Sequence, residues 1–171
     1  VTVFELDLPQ VFAFKEPVLA ASGLPARCQR VTAPADLRTD WTGPLAAARF
    51  SAAEPAVWLV EGLLPYLDGD DTTRLLGAID ARSAPGSRVA FDHMEPVAAD
   101  RPIVRTVSGV VREYGAELLT TKENPGRWLA ARDWRVEETP MPELAGTYGR
   151  SLAFLPDTAA TNAYLITLAA R

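Results

Sequence analysis

The stretch Pro55–Val60, PAVWLV, limits the fold of this chain more than any other. It is apolar throughout and meets no charge until Glu61. A central strand of a parallel sheet is covered on both faces, so it reads as a continuous apolar run rather than an alternation. The neighbouring segments supply the covering helices. Val1–Leu6 reads as a strand from its apolar and β-branched content. A helix is expected from Pro9 to about Gly23, kinked or reset at Pro17. CQRVTA is a short strand candidate, PADLRTDW a turn-rich loop and TGPLAAARF a short helix.

Beyond the apolar run, DGDDTTRLLGAIDARSAPG joins an acidic helix start to Leu75, Leu76 and Ile79 at helical spacing, with a Pro-Gly stop. SRVAFD is the next strand, and DRPIVRTVSGVVREYGAELL reads as helix, lid or both. NPGRWLAARDW is a capped short helix. WRVEET and the terminal NAYLITLAAR form an expected antiparallel pair across PELAGTYGRS. This alternation predicts an α/β class, one domain over residues 1–171, with a mostly parallel sheet and helices on both faces.

Composition narrows function mainly by exclusion. A net charge of −5 without a basic run argues against nucleic acid as partner. The apolar stretches fall short of the roughly 18–20 residues that span a bilayer. No charged leader precedes an apolar segment, so no membrane partner and a cytoplasmic location are expected. Cys28 and His93 are each the single residue of their kind, which predicts neither a disulfide framework nor a metal site. Cys28 reads as a small filler or a bystander, and Trp41, Trp58, Trp128 and Trp134 as core.

In open α/β sheets, ligands lie beyond the carboxyl ends of the strands. Polar residues, most of them acids, collect there: Glu5 and Asp7, then Asp36 to Arg38, then Glu61, then Asp92, His93 and Glu95 in DHMEP. Asp7 has two readings, a carboxylate accepting hydrogen bonds from ribose hydroxyls or a strand-end residue bonding backbone amides. Asp36 either meets the exocyclic amine of an adenine, with Leu37 packed on the ring, or forms an Asx turn or helix cap. Glu61 is costly beside an apolar strand unless a cation answers it, and a ligand ammonium, a protein Arg or solvent would each serve. His93 is either a general base or a solvated or capping residue.

Several segments, in order and at suitable spacing, carry a family likeness: VFELDLPQVFAFKEPVL, DLRTDW, PAVWLVEGLLPYL, SAPGSRVAFD and WLAARDWRVEE followed by ELAGTYGR. Together they resemble the bacterial S-adenosylmethionine-dependent methyltransferases related to leucine carboxyl methyltransferase. The resemblance covers residue 1 to about residue 150. It implies a class I methyltransferase (Rossmann-like) fold, a seven-stranded, mostly parallel sheet whose last strand is antiparallel. It implies S-adenosyl-L-methionine as cofactor, with Asp7 near the ribose, Asp36 and Leu37 at the adenine and Glu61 near the methionine end. It also implies a small-molecule methyl acceptor, methylated on a carboxylate or hydroxyl oxygen. Tyr66, Tyr148 and Arg150 are expected to pack or to line the pocket.

The family pattern includes a preceding first strand and a glycine-rich turn, G-A-G-L-D-T-R-like, that this sequence does not contain. The expected sheet therefore starts at the family's second strand and lacks the first. That strand would lie between Val1–Leu6 and Ala56–Val60, whose edges would otherwise invite pairing. Three outcomes follow: the two strands close on each other, a second copy completes the sheet as a homodimer, or the sequence is part of a longer chain. Two competing functions are a catalytically inactive Rossmann-like module acting through binding or dimerisation, and an NAD-dependent dehydrogenase. EGLLPYL and the late antiparallel strands argue against the dehydrogenase.

Overall fold

The computed structural model describes residues 1–95, 102–113, 116–119, 124–152 and 163–171. It divides into two compact units, Val1–Ala52 and Ala53–Arg171.

In the first unit, strand β1 (Thr2–Asp7) leads through helix α1 (Pro9–Ser22) to strand β2 (Gln29–Pro34). The two strands are parallel, with Leu6 opposite Ala33 and Asp7 opposite Pro34. Pro9 starts α1 where its missing N–H costs nothing, and Gly23 ends it at φ 64°, a left-handed conformation that suits glycine. Pro17 lies inside the helix, as the sequence indicates. A short helix α2 (Thr42–Ala47) follows. Phe12, Ala33, Ala35, Trp41 and Leu45 are buried. Phe4 and Phe50 meet edge to face at 5.4 Å. Glu5 bonds both Lys15 of α1 and Arg30 of β2, tying the helix to the sheet. Burial pushes the Glu5 carboxyl up, but the bonds from Lys15 and Arg30 outweigh it and hold the group below its ordinary value.

The second unit carries a four-stranded sheet in the order β3-β4-β6-β5. These strands are β3 (Val57–Val60), β4 (Arg88–Met94), β5 (Arg135–Pro140) and β6 (Tyr164–Ala170). β3 and β4 are parallel, while β6 runs antiparallel to both β4 and β5. The late antiparallel pair is thus found where the sequence places it, and the α/β fold has the expected antiparallel last strand. A single 3₁₀ turn (Leu64–Tyr66) and helix α3 (Gly69–Asp80) connect β3 to β4. Asp68 caps α3 by accepting from the Asp71 N–H at 2.7 Å, and Asp70 and Asp71 complement the positive helix start. Helices α4 (Pro102–Glu113), α5 (Pro125–Ala130) and α6 (Met141–Thr147) complete the unit. The segment read as helix or lid is helical over α4, and residues 100, 101, 114 and 115 of it lie outside the described residues.

The apolar face of α3, Leu75, Leu76 and Ile79, is buried with Val89, Phe91, Leu129, Trp134, Leu165 and Ala169. Asp80 at the end of α3 accepts from Trp134 Nε1 at 2.8 Å and Arg171 Nη1 at 2.7 Å. One expectation needs correction. β3 is not covered on both sides among the described residues: it pairs only with β4, and Val57 and Leu59 are 77% and 71% exposed. Trp58 is half-buried and Val60 buried, so this apolar run alternates after all.

Candidate functional site

The candidate residues fall at strand ends, and each unit presents its own set. In the first unit, Asp7 closes β1 and accepts the Leu8 N–H at 2.8 Å through Oδ1. Among the described residues no ion pair engages it. Asp36 follows β2 by two residues. It holds an Asx turn, accepting from the Arg38 N–H at 3.0 Å, and a two-pronged pair with the Arg38 guanidinium at 3.0 and 2.7 Å. Those bonds from Arg38 keep the Asp36 carboxyl below its ordinary value. Arg38 is well exposed, so water competes for the pair. Leu37 is half-buried beside it. The turn reading of Asp36 is therefore realised, and it leaves the carboxylate ionised with its acceptor character intact. Because β1 and β2 are parallel neighbours in register, Asp7 and Asp36 lie at the same end of their sheet.

In the second unit, Glu61 directly follows β3 and is exposed. Among the described residues no ion pair engages its carboxylate. The chain turns immediately afterwards at Gly62, φ 62°, where a side chain would be strained. The turn is held from below. Val60 pairs with Phe91 in the parallel ladder, which places Asp92 level with Glu61. Asp92 is 6% exposed and accepts the Gly62 N–H at 2.6 Å through Oδ1. Its other oxygen, Oδ2, accepts the Tyr164 hydroxyl of β6. Burial drives the Tyr164 hydroxyl well above the usual phenol range, and its bond to Asp92 and the nearby charges of Asp92, Tyr66 and Glu61 push the same way. Tyr164 therefore remains a neutral donor at physiological pH.

His93 sits one residue along β4, so its side chain points to the opposite face of the sheet from Asp92. It is 4% exposed. Its ring is 5.8 Å from Phe91, with Nδ1 3.5 Å from the Thr167 hydroxyl and Nε2 3.6 Å from Glu138 Oε1. The last separation is too long for a hydrogen bond, which leaves Nε2 without a partner among the described residues. Burial holds the imidazole below its ordinary value, against the pull of Glu138, Glu95 and Asp92. His93 is thus a neutral, enclosed imidazole.

Among the described residues no cluster of three or more His, Cys, Asp or Glu could hold a metal ion. No helix among them is long and apolar enough to cross a membrane. A shallow recess lined by Gly69, Thr72, Asn124, Pro125 and Trp128 touches none of the candidate residues. Sequence reasoning noted Asp92 as a rim acid but gave it no role, and it missed Tyr164 entirely. The contact joins residues 72 apart in the chain, and no local pattern announces it.

Comparison with known proteins finds a likeness over most of the chain. The leucine carboxyl methyltransferase family model matches residues 1–80. A protein of Saccharopolyspora erythraea, named as a candidate S-adenosyl-L-methionine-dependent methyltransferase, is 39% identical over 156 residues, covering 88% of this chain and 54% of the relative. A protein of the same description from Mycobacterium ulcerans is 43% identical over 158 residues, covering 86% and 52%. The chain spans about half the length of the curated relatives it matches. A crystal structure described as a candidate methyltransferase from Thermobifida fusca aligns with all of this chain and 63% of its own, with a TM-score of 0.66 at 19% identity, which speaks to the fold alone.

Proposed function

Since the chain belongs to the family of S-adenosylmethionine-dependent methyltransferases related to leucine carboxyl methyltransferase, we propose that it binds S-adenosyl-L-methionine and serves methyl transfer to an oxygen of a small molecule. The reading treats residues 1–171 as one methyltransferase domain. The observation that carries it is that each of Asp7, Asp36 and Glu61, within its own unit, stands at or just beyond the carboxyl end of its strand, β1, β2 or β3, where parallel α/β sheets bind ligands.

The side chains present suit the cofactor. Asp7 has an oxygen not used by Leu8 and can accept from ribose hydroxyls. Asp36, kept ionised by Arg38, can accept from the exocyclic amine of adenine, and half-buried Leu37 offers an apolar surface to the ring. Glu61 is an exposed carboxylate suited to the ammonium of the methionine end. When bound, the cofactor supplies a methyl group already activated on a sulfonium. What remains for the protein is to hold the acceptor oxygen in line with that carbon. A carboxylate acceptor needs no base, whereas a hydroxyl acceptor must lose its proton. His93, enclosed and neutral, is the weaker of the roles assigned here, because a base needs access to the proton it takes.

Isothermal titration of the 171-residue chain with S-adenosylhomocysteine tests the reading. Binding is expected, with Asp36→Ala weakening it at least tenfold, an effect of the order of one lost charge-assisted hydrogen bond. Absence of heat up to millimolar ligand removes the cofactor assignment. Transfer of labelled methyl to a panel of small carboxylic acids and alcohols then decides the acceptor class.

A further inference from the structure

A buried carboxylate is costly unless donors answer it. Asp92 is answered twice, by groups from two different elements: the backbone N–H of Gly62, at the turn that follows β3, and the hydroxyl of Tyr164, at the start of β6. Both donors converge on Asp92, and the turn that Asp92 thereby holds through Gly62 directly follows Glu61. Gly62 adopts φ 62°, a left-handed conformation that suits glycine, and its N–H is held by Asp92. Tyr164 also lies within electrostatic reach of Glu61 and Tyr66, so the four side chains share one neighbourhood at this end of the sheet.

We infer that Asp92 and Tyr164 are positioning residues, a buried clamp that grips the Gly62 amide and thereby fixes the direction in which Glu61 presents its carboxylate to the cationic end of a ligand. The inference rests on the cofactor reading above. Asp92 is enclosed, with each oxygen already engaged by a protein donor, and Tyr164 spends its proton on Asp92, so neither is assigned direct contact. Their effect passes through the backbone between Gly62 and Glu61. A purely packing role for Tyr164 would be served equally by Phe, whereas the clamp requires its hydroxyl.

The test compares two probes on wild type, Tyr164→Phe, Asp92→Asn, Asp92→Ala and Glu61→Gln. S-adenosylhomocysteine carries the ammonium, and adenosine lacks the whole amino-acid end. Tyr164→Phe and Asp92→Ala are expected to weaken S-adenosylhomocysteine about tenfold and leave adenosine within twofold. Asp92→Asn, which keeps an acceptor for the Gly62 N–H, is expected to recover part of the loss. Adding Glu61→Gln to Tyr164→Phe is expected to weaken binding no further than Glu61→Gln alone. Equal weakening of both probes, or wild-type affinity in Tyr164→Phe and Asp92→Ala, overturns the clamp. If the wild-type chain binds neither probe, the cofactor reading fails separately, and hydrogen exchange at the Gly62 amide decides the clamp. Exchange at least tenfold faster in Tyr164→Phe supports it, and unchanged exchange overturns it. Tyr164→Phe keeps the core volume, so the test survives should Asp92→Ala fail to fold.

Discussion

Burial sets the charge state of His93 more firmly than the acids around it do. Enclosure lowers its pKa while Glu138, Glu95 and Asp92 pull the other way, and enclosure prevails. The unfolded chain therefore binds a proton on His93 that the folded chain refuses. Stability from this group is complete above the ordinary histidine value of about 6.5 and is lost as pH falls below it. Urea denaturation at pH 7.5 and pH 5.5 should show wild type losing more stability on acidification than His93→Gln. An equal loss in both would mean that the imidazole protonates in place. The same residue shows what sequence can and cannot give. That an acid-rich strand end carries a histidine was legible, but which face of β4 it occupies depended on register, and register placed it opposite Asp92. The turn reading of Asp36 was legible, because an aspartate side chain readily accepts from the N–H two residues on.

Elements bounded by local chemistry were readable in advance. α3 starts where Asp68 can cap it and runs for as long as its leucines and Ile79 keep helical spacing. β5 and β6 were recognisable as strands in their own right. Asp68→Ala should cost about 1 kcal/mol of stability, read by chemical denaturation, because the Asp71 N–H then loses its acceptor. An unchanged midpoint would show that Asp70 or solvent replaces the cap. α6 was not anticipated: PELAGTYGRS was read only as the connection between the late strands, although Pro142 and Glu143 are favourable in a first helical turn. β3 failed in another way. An apolar run reports which environments a strand tolerates, and the number of neighbours it acquires is decided elsewhere in the chain.

At the scale of the molecule, each unit has an edge strand among the described residues: β1 pairs there only with β2, and β3 only with β4. Val57 and Leu59 add exposed apolar surface to the second of these. Such an edge is a template for further strand pairing. The 171-residue chain should accordingly gain mass with concentration in light scattering, and Leu59→Lys should shift it toward the monomer with its circular dichroism unchanged. A concentration-independent mass would show that the edge is protected. The fold and the strand-end acids were accessible from family likeness, since both are written in contiguous segments. The clamp under Glu61 was not, because it is assembled by β4 and β6 across most of the second unit. The order in which that sheet is laid down matters for how the protein is made. β6 is the latest of the strands in the chain, yet it lies between β4 and β5 and is the partner that joins them. β1 and β2 pair with each other without any later segment, whereas the N–H and C=O groups of β5 have only water to bond until β6 is in place. The second unit therefore completes its sheet only when β6 joins it, after every other strand named here.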